Sequence, residues 1–92
     1  GTVVVAAFTS DLLSDVMAHA ADQSILITIQ AHQNTVAVAS LAGIRAILAC
    51  SSRPVPADMV QAAAQRQIGI YRTPLNQFDA SVAVHRLLQD SP

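Results

Sequence analysis

Four short apolar segments recur along the chain at nearly constant spacing. They cover residues 3–8, 25–29, 46–50 and 68–71, and their first residues are separated by 22, 21 and 22 positions. Such an interval accommodates one strand, one helix and two short loops. The segments are almost continuously apolar, which is typical of strands in a parallel sheet with helices on both faces.

Apolar residues at helical spacing lie between these segments and after the last one. The first helix is predicted over residues 11–21, with one apolar stripe formed by Leu12, Leu13, Val16 and Met17. The second is predicted over residues 35–42, with the inward positions Val38, Leu41 and Ala42. The third is predicted over residues 56–67, and the fourth begins near Asn76 with the core contacts Phe78, Val82, Leu87 and Leu88.

The ends of these helices carry residues with strong positional preferences. Gly43 stands where a left-handed C-cap is commonest, and Pro56 suits the first turn of the third helix. Asn76 and Asp79 have the spacing of a capping pair. The sequence therefore predicts a single α/β domain over residues 1–92, in the order βαβαβαβα, with a mainly parallel four-stranded sheet and helices on both faces.

Polar side chains follow each predicted strand. Ligands of parallel sheets bind at the carboxyl ends of the strands, because helix N-termini and loop amides converge there. We therefore expect a shallow polar pocket for a phosphate, a ribose or a carboxylate at this edge. The residues predicted to contact the ligand are Thr9, Ser10, His32, Gln33, Asn34, Ser51 and Arg72.

The same residues have a simpler interpretation. Ser, Asn and Asp are preferred N-caps, so Ser10 or Asp11, Asn34 and Asn76 are also explained by capping alone. Arg72 and Arg53 are then solvated charges. Both interpretations remain open at the level of the sequence.

Composition narrows the classes of partner. Only 12% of the residues are charged, against 52% hydrophobic, so we expect part of the surface to be covered by a partner or a second copy. The net charge is −1 and the basic residues are scattered, which argues against nucleic acid. The apolar runs are too short for a membrane span, and the start lacks a basic secretion signal. A cytoplasmic location is expected, in agreement with a single cysteine, Cys50.

Signatures of catalysis and metal binding are missing from the sequence. It contains neither a GxxxxGK[ST] phosphate loop nor a GxSxG elbow, and it has no Glu. His19, His32, Cys50 and His85 are not spaced as zinc ligands. We therefore predict no enzyme activity, no catalytic residue, no bound metal and no cofactor.

Three stretches resemble the DRTGG domain family, and especially its small stand-alone members. They are "SDLLSDVMAH", "ILITIQAHQNTVAVASLAGIRAIL" and "QIGIYRTPLNQFDASVAV", and together they extend from Ser10 to about Leu88. The family pattern of a strand ending in Thr-Pro, followed by a helix with an early Phe, is carried by Thr73, Pro74 and Phe78. The naming motif itself is absent, since Ala31 to Gln33 and the pair Ser51 and Ser52 stand in its two places.

The resemblance implies a regulatory role. Related domains are joined to phosphotransacetylases, inserted between the CBS domains of some pyrophosphatases, or similar to the N-terminal domain of HPr kinase. In such proteins they help to form dimers and lie near an adenine-nucleotide site. The relatives usually carry further residues before the first strand, so the resemblance implies that this chain lacks them. It also implies a partner enzyme in hydrogenase-related functions or in acetate and phosphate metabolism.

Two hypotheses follow. In the first, the chain is a non-catalytic, homodimeric sensing module that binds a nucleotide or a small anion at the carboxyl ends of its strands. In the second, it is a structural subunit that dimerises and docks on a partner enzyme without a small-molecule ligand.

Overall fold

The predicted order of strands and helices is confirmed. The computed structural model describes residues 3–90. Its strands are β1 (Ala6–Thr9), β2 (Ser24–Thr28), β3 (Ala46–Ala49) and β4 (Gly69–Arg72). Its helices are α1 (Leu13–His19), α2 (Gln33–Ala42), α3 (Ala57–Gln65) and α4 (Gln77–Asp90).

The four strands form one parallel sheet in the order β1-β2-β3-β4. Each crossover thus advances by one strand in the same direction, so crossovers of one hand bring α1, α2 and α3 to the same face. The helix α4 follows the last strand and packs on the opposite face, against β1 and β2. Helices on both faces are confirmed, with three on one face and one on the other.

Neighbouring residues of each strand supply two separate cores. Leu26 faces α1, α2 and α3, and it is buried with Val16, Val36, Ile47 and Met59. Ile27, the next residue, faces α4, and it is buried with Cys50, Ala80 and Val84. Strands that supply an apolar residue to each face in turn have no polar face, which explains the continuous apolar runs in the sequence.

Several positions predicted to be inward are exposed. Leu12, Met17 and Leu41 lie largely in solvent, because α1 and α2 each present only a narrow stripe to the sheet. The prediction that Phe78, Val82 and Leu87 make core contacts is wrong: Phe78 is 75% exposed and Leu87 is 70% exposed. The physical reason is that Ala80 and Val84 are the residues of α4 that face the sheet, whereas Phe78 and Val82 lie on the opposite side of the helix and Leu87 lies beside the part of the sheet that α4 leaves uncovered.

The helix ends agree with the sequence in two places and differ in two. Gly43 is the left-handed C-cap of α2, with φ of 77°. Asn76 accepts a hydrogen bond at Oδ1 from the backbone N–H of Asp79, at 2.8 Å. Pro56 is the N-cap of α3 rather than part of its first turn, and α2 begins at Gln33, so that Asn34 is inside the helix and does not cap it.

No helix within residues 3–90 is both long enough and apolar enough to cross a membrane.

Replacing Gly43 by Val is expected to lower the free energy of unfolding by about 2 kcal/mol or more, because a β-branched residue is strained at positive φ. A Cβ atom at this position would also overlap the side chain of Asp22. Leu41→Val is the matched control, since it introduces the same residue two positions earlier, at a site that is 75% exposed. Urea denaturation measures both variants, and equal small losses would contradict the left-handed cap.

Candidate functional site

The carboxylate of Asp11 connects three loops at the carboxyl ends of the strands. Its Oδ1 accepts hydrogen bonds from Thr28 Oγ1 at 2.8 Å, from the backbone N–H of Ile29 at 2.9 Å and from Gln77 Nε2 at 3.0 Å. Thr28 is fully buried, so its hydroxyl has no access to water as an alternative partner. Asp11 thereby ties the end of β1 to the end of β2 and to the first turn of α4.

In the sequence, Asp11 is explained by helix capping, and no local pattern places it at the centre of this edge. The signal in the sequence is its position, because Asp11 is the one acidic residue that follows the carboxyl end of a strand within two residues. A carboxylate at that place is able to satisfy the exposed N–H groups of the next strand end. Gln77 is distant in sequence, and its contribution required the packing of α4.

The polar stretch between β2 and α2 is held in place by two buried threonines. Thr28 Oγ1 accepts a hydrogen bond from the backbone N–H of Gln30 at 3.0 Å, and Thr35 Oγ1 donates to the carbonyl of Gln30 at 2.8 Å. The loop is therefore anchored from both sides, and His32, Gln33 and Asn34 remain exposed. His32 is the N-cap of α2 but makes no side-chain capping hydrogen bond.

Arg72 joins the loop after β3 to the loop after β4. Its Nε donates to the carbonyl of Arg53 and its Nη2 donates to the carbonyl of Ser52, both at 3.0 Å. The backbone N–H groups of Ser51 and Ser52 donate to the carbonyls of Leu75 and Thr73 at 2.8 and 3.0 Å. These bonds hold two consecutive non-glycine residues in the left-handed region, with φ of 59° at Ser51 and 54° at Ser52. Such a conformation costs free energy and persists because the neighbouring loop supports it.

Three polar depressions lie among these loops and helices, and each is lined by one arginine. The His32–Arg53 depression is lined by Ile29, Gln30, Ala31, His32, Arg53 and Pro54. The Arg72 depression is lined by Ser52, Arg72, Thr73 and Pro74, and the Arg66 depression lies between α2 and α3, where Gln33, Asn34 and Arg66 contribute to it. None of their lining residues in the described range is acidic.

The size of these depressions limits what they accommodate. Their volumes are about 260, 270 and 320 Å³ for the His32–Arg53, Arg72 and Arg66 depressions. Pockets for drug-sized ligands range from roughly 300 to 1,000 Å³. The His32–Arg53 and Arg72 depressions therefore suit a small anion or one phosphate group rather than an entire nucleotide, and the Arg66 depression lies at the lower limit of that range.

The seven predicted ligand contacts share the expected edge but not a single pocket. His32 lies with Arg53, Arg72 lies in the next depression, and Gln33 and Asn34 face the third. Thr9 shares a hydrogen bond of 2.7 Å with Ser81 of α4. Ser10 accepts a hydrogen bond at Oγ from the backbone N–H of Leu12 at 3.1 Å, and Ser51 is exposed beside the loop that precedes α4.

Cys50 follows the last residue of β3 and is buried in the core on the α4 side. Burial raises the pKa of its thiol and the Asp11 carboxylate adds to this rise, while a backbone hydrogen bond with Thr28 opposes it. Within residues 3–90, no group of three or more His, Cys, Asp or Glu side chains is arranged to hold a metal ion.

The fold and this edge define a four-stranded parallel α/β protein with cationic depressions at or beside the strand ends. No protein-family model, no curated protein and no solved structure matches the chain.

Asp11→Ala is expected to lower the free energy of unfolding by about 2–4 kcal/mol, because it leaves the buried Thr28 hydroxyl and the Ile29 N–H without an acceptor. Asp11→Asn is the matched control, since it keeps an oxygen at the Oδ1 position and loses the charge. We expect Asp11→Asn to lose roughly half as much free energy of unfolding as Asp11→Ala loses. Chemical denaturation measures the free energy of unfolding of both variants. Equal losses in the two would show that the hydrogen bonds to Oδ1 do not account for the stabilisation by Asp11.

The raised pKa of Cys50 predicts a pH dependence of stability. A thiol that holds its proton more strongly in the folded state stabilises the fold below its unfolded pKa of about 8.5, and this contribution is lost as the pH rises through the folded pKa. The free energy of unfolding of the wild type should therefore fall more steeply above about pH 8.5 than that of Cys50→Ala. If the free energy of unfolding falls with pH equally steeply in both proteins, the raised pKa of Cys50 is not the cause of the pH dependence.

Proposed function

We propose that this chain is a non-catalytic, homodimeric regulatory module that senses a small anion, or the phosphate of a nucleotide, at the carboxyl ends of its strands. The observation that carries the proposal is the His32–Arg53 depression. There, a guanidinium and an imidazole line the same surface, beside a loop whose backbone is anchored by Thr28 and Thr35.

The local charge supports an anion. The chain has a net charge of −1, yet Arg53, Arg66 and Arg72 each line a depression without an acidic neighbour in its lining. Guanidinium groups bind carboxylates and phosphates through paired hydrogen bonds. The Asp11 carboxylate, which would repel an anion, accepts three hydrogen bonds at Oδ1 and lines none of the three depressions.

Preorganisation also supports binding at this edge. Arg72 holds the carbonyls of Ser52 and Arg53, so the backbone that carries Arg53 is ordered before any ligand arrives. A loop that is already ordered loses less conformational entropy on binding. Arg72 therefore acts in the proposal as the residue that positions Arg53, and it also lines the adjacent depression.

The resemblance to the DRTGG domain family remains a proposal and suggests adenine nucleotides as the first class to test. It is supported by the left-handed backbone at Ser51 and Ser52, because these two positions stand where the family carries its glycine pair. The same proposal includes a cytoplasmic location, which agrees with a single buried, unpaired cysteine.

A second candidate function is that of a structural subunit that docks on a partner enzyme, for which the resemblance suggests hydrogenase-related or acetate and phosphate metabolism. It is favoured by one observation: α4 leaves part of its sheet face open, where Tyr71 is 56% exposed and Leu87 is 70% exposed. In this case the polar loops serve only to satisfy the strand and helix ends.

The two candidates are separated by thermal shift and calorimetry with phosphate, sulfate, acetyl phosphate, AMP, ATP and NAD. Under the sensing proposal, at least one compound gives a saturable rise of several degrees, since a ligand at about 100 times its Kd adds about 2.7 kcal/mol. The double variant His32→Ala with Arg53→Gln should weaken binding at least about tenfold, since it removes a charge-assisted contact.

Arg66→Gln is the matched control, because it removes one arginine from the depression between α2 and α3. The Arg66→Gln variant should bind the same anion as tightly as the wild type does. A flat response of the wild type to the whole panel would overturn the sensing proposal and leave the docking subunit. Loss of binding in Arg66→Gln alone would also refute the assignment to His32 and Arg53.

A further inference from the structure

The helix α4 carries apolar residues on the side that faces away from the sheet. Its outer face is formed by Phe78, Val82, His85 and Gln89, at intervals of four, three and four residues. This spacing forms one continuous seam along a helix. Ala80 and Val84, which contact the sheet, lie on the opposite side. Phe78 is 75% exposed and Val82 is 36% exposed, so the seam has an apolar N-terminal half with no partner in the described chain.

We propose that this outer face pairs with the same face of a second copy, with the two α4 helices antiparallel and a two-fold axis near Val82. The inference deepens the homodimeric part of the proposed function by naming its surface. Antiparallel packing about Val82 places Phe78 of each copy beside the C-terminal half of the other helix. The contact is isologous, so it closes as a dimer and leaves no free face for further growth.

Charge complementarity selects a second copy as the occupant and sets the direction of pairing. Asp79 flanks the seam in the N-terminal half of α4, and Arg86 flanks it in the C-terminal half, next to His85 of the seam. Positions 79 and 86 are symmetric about the point between residues 82 and 83, so antiparallel pairing brings each Asp79 toward Arg86 of the other copy. Parallel pairing would instead place each charge at the height of its own copy, so no opposite charges would meet.

Neither charge forms an ion pair with another residue of the described range. Among residues 3–90, the one ion pair joins His19 and Asp15, so the Asp79 carboxylate and the Arg86 guanidinium have no ionic partner there. Two such pairs would form across the two-fold axis. Antiparallel helices also align their dipoles favourably.

The other apolar surface on this side of the molecule offers no comparable argument. A groove lined by Val4, Ile25, Ala46, Tyr71 and Leu87 lies between α4 and the open part of the sheet. None of its described lining residues is charged, so nothing in it selects an orientation or a partner. It serves here as the alternative interface in the test.

The test is a charge exchange on full-length protein, with the dimer dissociation constant measured by sedimentation equilibrium. Asp79→Arg and Arg86→Asp should each raise this constant at least about tenfold, because each places like charges across the axis. The double variant, with both substitutions, should restore it to within about threefold of the wild type, because the opposite charges face each other again. Circular dichroism verifies that the exposed substitutions leave the fold intact.

Leu87→Gln is the matched control, since it removes an exposed apolar side chain from α4 at the groove. It should leave the dissociation constant unchanged. A monomeric wild type at about 200 µM, single variants that dimerise as the wild type does, or a double variant without rescue would each overturn the proposal. Dissociation caused by Leu87→Gln would assign the interface to the groove and would overturn it as well.

The outcome is independent of anion binding. His32 and Arg53 belong to one chain, so the Asp79→Arg monomer should bind the same anion that the wild type binds in calorimetry. Loss of dimerisation with retained anion binding supports both proposals. A dimer that the single charge variants weaken and the double variant restores, with no response to any anion in the panel, would support the α4 interface and refute the sensing role.

Discussion

The order of the strands is the constraint on which the rest of this structure depends. Because every crossover advances one strand in the same direction, α1, α2 and α3 accumulate on one face of the sheet. One helix is left for the other face, and α4 cannot cover four strands. The deep core formed by Leu26, Ile47 and Met59 and the half-open face beside Tyr71 are two consequences of the same topology.

Hydrogen bonds at the carboxyl ends of the strands join the two sides of the sheet. Asp11 accepts hydrogen bonds from Thr28 at the end of β2, from Ile29 in the loop that follows and from Gln77 of α4. The helix on the open face is therefore attached to the edge that carries the candidate site. Arg72, at the end of β4, similarly donates hydrogen bonds to the carbonyls of Ser52 and Arg53 in the loop after β3. The first turn of α4 is thus common to the edge that carries the candidate site and to the proposed dimer interface, which lies on its outer side.

The low charge content of the chain corresponds to exposed apolar side chains in the structure. Several exposed apolar side chains lie on and beside α4, where Phe78, Leu87 and Tyr71 have no covering layer in the described residues, while Leu41 of α2 is exposed to the same extent as Phe78. The scattered basic residues follow a different distribution, since Arg53, Arg66 and Arg72 each line a depression. An apolar surface and a set of cationic depressions on one small domain are what a regulatory module requires if it binds an anion and another protein.

Local patterns in the sequence determined the four strands, the four helices, their order and the caps at Gly43 and Asn76, because periodicity and backbone preferences act over a few residues. They also determined that polar residues meet at one edge, since the strands are parallel. Only the tertiary structure decided that these residues divide among separate depressions, that Gln77 joins Asp11, and that Phe78 and Leu87 are exposed. Those outcomes depend on which face each helix covers and on contacts between residues far apart in sequence, and hydrophobic spacing alone does not distinguish a face that meets the sheet from one that meets another molecule.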